Sequence, residues 1–365
     1  MRQRRRHILP ALWILASLVA LGCSGHQDPA GSGRPAGRPV AEGSAPTTAV
    51  APSANPSRTE SPEVSATSTT SPRPLGSCPI FPADNIWHTD VSRLPVRSNS
   101  AVVIASIGLD DQVHADFGSG LWDGGPIGIP ITTVRPDQAK VRVSFEYADE
   151  SDQDPYPIPA SAKIEGGPDA DGDRHVILLD KTRCAAYELF AAYPQSDGSW
   201  RAGSGASFDL RSNDLRPRGW TSADAAGLSI LAGLVRYEEV AAGRIDHAIR
   251  ITAPRTATSY VWPARHAASD LADPNLPQMG TRLRLRPEVS IAGLPWQARI
   301  VAAAMKRYGV IVADNGSPWY ISGAPDERWD NDALHALNRF SGRDFEVVDT
   351  RGLMISSNSG AARSG

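Results

Sequence analysis

Apolar and polar positions alternate in short runs through most of residues 78–350, and a period of two predicts strands. In 140–147, Val141, Val143 and Phe145 share one side while Arg142, Ser144 and Glu146 share the other. Residues 175–180 and 184–193 are two further runs. In 245–252, Ile245, His247, Ile249 and Ile251 oppose Asp246, Arg250 and Thr252. Residues 281–286 alternate Arg with Leu, and the β-branched run 101–107 also reads as a strand. One apolar face per strand suits antiparallel sheets. Helical spacing is confined to three segments. Residues 221–224 start a short helix with a hydroxyl as cap. Residues 295–308 carry Pro295 in the first turn, an Ile300, Val301, Ala304 and Tyr308 stripe, and Gly309 as the stop. Asp330 caps a last helix bearing Leu334, Leu337 and Phe340. Between the latter two, 310–313 and 319–322 flank Asp314-Asn315-Gly316-Ser317, and Asn-Gly is a strong hairpin signal.

This order predicts a mainly β protein: an antiparallel β-sandwich or jelly-roll-like core with a few short helices and a small C-terminal α/β appendage. Residues 78–350 form one β-rich domain on this reading, and 351–365 a flexible tail. Residues 24–77 contain no Phe, Trp or Tyr and are crowded with Pro, Ser, Thr, Ala and Gly. Such a stretch cannot bury enough apolar surface to fold and reads as a disordered tether. The formal net charge of −3 gives no electrostatic case for nucleic acid.

The N-terminus sets the compartment. Arg2, Arg4, Arg5 and Arg6 precede an apolar run from Ile8 to Gly22 that closes on Ala20-Leu21-Gly22-Cys23. That is a secretion signal too short to span a membrane well. Its ending resembles the lipobox of bacterial lipoproteins. The resemblance implies cleavage after residue 22, lipidation of Cys23 and anchoring to the outside of the cell membrane. Arg5-Arg6-His7-Ile8-Leu9 also looks like a twin-arginine export signal. With Cys23 used by the lipid, Cys78 and Cys184 remain as an even pair in an oxidising place, and one disulfide is expected; two separate buried thiols are the alternative. Phrases such as Ala202-Gly-Ser-Gly-Ala-Ser-Phe-Asp209, Gly219-Trp-Thr-Ser-Ala-Asp224 and Val312-Ala-Asp-Asn-Gly316 resemble those of secreted bacterial proteins. That resemblance implies one unit from about residue 78 to 350 and assigns no catalytic residue.

Candidate chemistry follows from the strands. A tight reversal at Lys181-Thr182 sets His175 opposite Glu188, where a carboxylate fixes the imidazole tautomer and prepares a general base. A structural His–Glu pair is the competing interpretation. His114 and Asp116 share one strand face beside the Gly-rich segment that carries Trp122. Asp209 and Glu188 are strand carboxylates suited to an acid/base pair, and Glu146 is a third. Asn213, Arg216, Trp220 and the loop residue His266 mix amide, cation and aromatic groups that suit sugar recognition. His247, among isoleucines, reads as a satisfied core histidine. Asp169, Asp171 and Asp173 look like a calcium loop, but the glycine comes early and no Glu follows, so a tight acidic turn is preferred and no metal is expected.

No HExxH, GxSxG, P-loop, GxGxxG or CxxC occurs in the 78–350 segment. The expectation is a lipid-anchored, monomeric carbohydrate-active protein outside the cytoplasm. It would be a glycoside hydrolase or polysaccharide lyase acting on an extracellular or cell-wall glycan. The alternative is a non-catalytic glycan-binding lipoprotein.

Overall fold

Four sheets and a few short helices build the fold seen in the computed structural model, which describes residues 78–365. The signal segment 1–22, Cys23 and the tether 23–77 lie outside the described residues. The largest sheet has six strands in the order His114–Asp116, Tyr320–Ser322, Ile249–Ala253, Val310–Asn315, Arg282–Leu285, Phe345–Val347. It is mixed. Ile249–Ala253 runs parallel to Val310–Asn315, and His114–Asp116 parallel to Tyr320–Ser322, while the remaining pairs are antiparallel. The chain between the first of these parallel pairs passes through strand Arg282–Leu285 and helix Trp296–Arg307, the long crossover that a parallel pair requires. A four-stranded sheet follows the order Ser204–Asp209, Ala185–Phe190, Val176–Asp180, Ile131–Thr133. Three- and two-stranded ribbons complete the β structure.

Several local expectations hold. Helix Trp296–Arg307 starts at Pro295 and ends before Gly309, whose φ of 69° is the left-handed stop. Asp330 caps helix Asn331–His335 through the Ala333 amide at 3.0 Å. Cys78 and Cys184 are joined, with Cα atoms 5.3 Å apart. His247 is buried, with its ring bonded to Glu239, Arg236 and the Ala248 carbonyl. In strand Arg282–Leu285 the Arg face is buried too. Arg282 donates to the carbonyls of Tyr308, Ile86 and Thr89, and Arg284 to those of Val91 and Leu94. The strand's polar side thus holds the segment 86–94 instead of meeting water.

Other elements differ, each for a physical reason. Residues 101–107 lie in the helix Ser100–Gly108, not a strand. Its buried positions, Ser100, Val103, Ile104 and Ile107, have the spacing of a helix, and that burial outweighs the β-branched bias. Residues 221–224 form a hydrogen-bonded loop, and the capped helix is Ile230–Gly233, headed by Ser229. Val310–Asn315 and Tyr320–Ser322 do not pair as a hairpin, because Ile249–Ala253 lies between them. The connection crosses the end of that middle strand, where the Gly316 amide bonds the Ala253 carbonyl and Thr252 Oγ1 the Ser317 carbonyl. The tail 351–365 is packed rather than loose. Leu353 and Ala362 are buried, and Gly360 and Ala362 bond the backbone at Ile86 and Asp84.

The disulfide closes a loop of 106 residues. Replacing Cys78 and Cys184 with Ser should therefore lower the unfolding free energy by on the order of 4 kcal/mol, read by urea denaturation.

Candidate functional site

The hairpin expected to join His175 and Glu188 is centred one residue later than a Lys181-Thr182 reversal requires, which shifts the partner of Glu188 by two. Its observed pairs are Ile177 with Glu188, Leu179 with Ala186 and Asp180 with Ala185. The loop is residues 181–184. Asp180 Oδ1 accepts from the Thr182 and Arg183 amides at 2.9 Å each, and Cys184 takes φ 53°. A side-chain-capped turn closed by a left-handed residue fixes this longer reversal. His175 and Glu188 therefore do not bond. Glu188 is fully buried and accepts from Ser229 Oγ at 2.7 Å and from the amides of Ile230 and Leu231 at 2.8 and 3.1 Å. Burial pushes its carboxyl up to about 7 in spite of these donors. Its chemistry is spent on capping the short helix Ile230–Gly233.

His175 finds a different carboxylate. Its Nδ1 donates to Glu165 Oε2 at 2.6 Å, and its Nε2 to the Ala223 carbonyl at 3.1 Å. Burial opposes a charge on this ring, but Glu165 outweighs it and holds the pKa up to about 9. With both nitrogens donating, His175 is an imidazolium at neutral pH and is not a base. The same contact acts on Glu165. Burial alone raises that carboxyl, and the His175 charge overrides it to set the net shift below the usual range. Glu165 keeps 23% of its side chain exposed. Its Oε2 is taken by His175, and among the described residues no donor reaches Oε1.

Beside this pair the six-stranded sheet presents a polar face. Arg250 points from the centre of that sheet, buried among isoleucines. Its guanidinium holds Asp224 in a two-pronged contact at 3.1 and 2.8 Å, Asp314 Oδ2 at 2.9 Å and Ser322 Oγ at 2.6 Å. A β-bulge between Ile251 and Thr252 makes the Asp314 contact possible. In unbroken register Asp314 would share the face of Val312 and Ile251. The shift sets it opposite Thr252, on the Arg250 face. Desolvation, reinforced by repulsion from Asp224, pushes Asp314 up to about 7 against the pull of Arg250.

Asp116 completes the mouth. It pairs in register with Ser322, so both project from the same face. Its side chain reaches solvent, yet the surrounding walls desolvate the carboxyl and Glu165 repels it, and both effects raise its pKa. Among the described residues no hydrogen-bond donor holds it. Asp173 is exposed nearby and adds to the field on Asp116, His175 and Asp314. The constellation is thus three carboxylates at a solvent-facing mouth, Asp116, Glu165 and Asp314, above a buried His175 and Arg250.

The other sequence candidates lie elsewhere or are committed to structure. His114 stacks on Tyr320 with ring centres 4.3 Å apart, and burial lowers its pKa. Asp209 is exposed and caps the Arg211 amide, on a strand remote in register from the mouth. Asn213 binds Asn85 and Asp84. Arg216 is buried against Asp152, the Glu150 and Thr221 carbonyls, and the Trp220 ring. His266 bonds the Ala225 carbonyl. Trp122 stands exposed on the hairpin that follows Asp116. In the turn that holds Asp169, Asp171 and Asp173, Arg174 donates to the Pro168 and Ala170 carbonyls. Among the described residues no group of three or more His, Cys, Asp or Glu side chains is placed to hold a metal ion. Glu165, Asp224, Arg250 and Asp314 were not singled out from sequence. The available signal was Arg250 itself, a cation inside an Ile-Arg-Ile run that must find carboxylates wherever it is buried.

No family model, curated protein or solved structure matches this chain.

The His175 shift gives a stability test with a definite sign. The folded pKa of about 9 exceeds the ordinary value of 6.5, so the contribution is full below about pH 6.5 and is lost as pH rises through about 9. The melting-temperature gap between the wild type and His175→Gln should shrink across that window. A constant gap overturns the His175–Glu165 ion pair.

Proposed function

We propose that this chain is an extracytoplasmic hydrolase of glycosidic bonds, held at the membrane by lipidated Cys23 and acting on an extracellular or cell-wall glycan. What supports the proposal is the pairing of roles at Asp116 and Glu165: Asp116 stands opposite Ser322 with no described donor and is repelled by Glu165, while the buried His175 ring takes one oxygen of Glu165. Glycoside hydrolysis needs one carboxyl group that keeps its proton and another that stays ionised beside it. Asp116 suits the first role. It is unpaired, desolvated and repelled by Glu165, and each of these favours its protonated form, the form that can donate to the leaving glycosidic oxygen. Glu165 suits the second. His175 keeps it charged through one oxygen, no described donor takes the other, and the partly exposed carboxylate can support positive charge developing on the sugar ring or activate water. Arg250 orients Asp314 and Ser322 beneath them.

Hydrolysis is favoured over elimination by the state of His175. A lyase that used this histidine to take the proton beside a uronate carboxyl would need the ring unprotonated and reachable, and this imidazole is charged, sealed and donating through both nitrogens. The β-rich fold fits either a sandwich-type carbohydrate-active enzyme or another scaffold, so the fold adds little to the assignment.

The test is turnover of a polysaccharide panel by the soluble domain, read as new reducing ends. Asp116→Asn should lower kcat by about 10²–10⁴-fold with the melting temperature kept, whereas Glu165→Gln should lower both, because it also takes away the partner of the buried His175 imidazolium. The rate should fall in acid as Glu165 is protonated and in alkali as Asp116 ionises, the second limb lying above the ordinary aspartate range. Asp116→Asn should remove that alkaline limb. Turnover unaffected by either substitution overturns the assignment.

A further inference from the structure

A short hairpin stands at the rim of the acid mouth. Strands Leu121–Trp122 and Gly125–Pro126 pair through the turn Asp123-Gly124, where both residues are left-handed with φ of 48° and 83°. That is the type I′ geometry that Asp-Gly favours. Its tip is apolar and wet: Leu121 is 69% and Trp122 77% exposed. An indole this exposed contributes little to the core and leaves a broad apolar face open to a ligand. The hairpin base is fixed beside the mouth. A Cβ on Gly125 would sit 2.0 Å from the Gly166 carbonyl oxygen, so only glycine lets the hairpin seat against the residue following Glu165.

Behind the hairpin lies a groove of about 720 Å³, walled by Pro126, Pro130, Pro168 and Pro325 and edged by Lys163 and Arg328. Its residues Ile164 and Gly167 lie on either side of Glu165 in the chain. The two parallel strands that carry Asp116 and Ser322 both run into its wall. The Gly118 carbonyl accepts from the Asp326 amide, and Pro325 follows Ser322 after two residues. The groove is thus walled by residues that lie within two to three positions of Glu165 and Ser322 in the chain and by Pro126 of the hairpin itself.

We propose that Trp122 and the proline-walled groove form a chain-binding track through the mouth, so that the substrate is the interior of a polysaccharide rather than a small glycoside. This rests on the glycosidase assignment above. A pyranose presents an apolar C–H face that packs on an indole, and its hydroxyls need the charged edges that Lys163, Asp326 and Arg328 supply. Rigid proline walls suit a ligand that is long, stiff and only weakly polar on its flanks. The groove volume falls in the range that accommodates an oligosaccharide-sized ligand.

The experiment compares substrates of different length. Wild type, Trp122→Ala and Asp116→Asn are assayed on soluble xylan, glucan, mannan, galactan and solubilised peptidoglycan, and on short aryl glycosides of the same sugars. Binding is read in parallel by affinity electrophoresis in gels containing each polymer. Trp122→Ala should raise KM on the polymer about tenfold, the effect of losing roughly 1.4 kcal/mol of aromatic contact. The penalty should shrink as the substrate shortens, and product lengths should shift. Trp296→Ala, an exposed tryptophan on the helix Trp296–Arg307, is the control and should behave as wild type. Asp116→Asn should lose turnover yet keep its retardation in the gel.

The outcomes separate the two claims. If Asp116→Asn abolishes turnover but Trp122→Ala leaves polymer KM and product lengths unchanged, the track is overturned and the hydrolase stands. If Asp116→Asn is fully active, the assignment of the mouth fails whatever Trp122 does. Retardation by no polymer, with wild type or Asp116→Asn, overturns the track, and no turnover of any substrate by wild type overturns the hydrolase as well. Loss on Trp122→Ala that is equal for short and long substrates overturns the track, because it places the indole at a single sugar.

Discussion

The buried guanidinium of Arg250 is the constraint around which the site is arranged. A cation in the interior is costly unless its partners are close and its donors satisfied. Arg250 meets that demand with Asp224 from a loop, Asp314 from a neighbouring strand and Ser322 from the strand on its other side. One side chain thus fixes the spacing of three strands and docks the 221–228 loop onto the sheet. That loop also gives the Ala223 carbonyl to His175. The ion pair at Glu165 is therefore anchored, one residue away, to the same guanidinium. Removing one partner would leave a desolvated charge, and the disturbance would reach Glu165 through Ala223 and His175.

Two carboxylates show how neighbours decide chemistry. Glu165 and Glu188 are both drawn toward neutrality by burial, yet they end on opposite sides of the ordinary range. Glu165 faces a cation, and Coulomb attraction wins. Glu188 faces only dipoles, a hydroxyl and two amides, and desolvation wins. Residue type and strand position do not tell them apart. The distinction lies in what a distant segment brings, and only Glu165 keeps a path to solvent.

The legible parts of the sequence are those with local causes. Gly309, Pro295 and Asp330 mark helix ends by their own backbone chemistry, and each does so in the structure. The Cys78–Cys184 bond followed from counting the thiols of the chain. What escaped has nonlocal causes. The Val310–Asn315 and Tyr320–Ser322 strands carry a strong turn signal between them, but a strand from sixty residues earlier separates them. Helix Ser100–Gly108 is written in β-branched residues because its buried stripe, not its propensity, decides its form. The His175 site was half legible. Its strand, burial and need for a carboxylate were readable, whereas the identity of that carboxylate turned on Cys184 adopting a left-handed backbone. Asp116 was visible as a strand carboxylate next to a tryptophan hairpin, and the bulge that swings Asp314 onto the Arg250 face has no local signature.

The pairing of His114–Asp116 with Tyr320–Ser322 has a consequence for how the protein comes into being. Its neighbour in the sheet emerges from the ribosome among the last residues of the described chain, so the strand must wait, unsatisfied, for nearly the whole molecule to be made. Contacts of such sequence separation make assembly slow. Asp116 is then among the last groups to take its place, and the cluster of Asp116, Glu165 and Asp314 is complete only once residues 320–322 have joined the sheet.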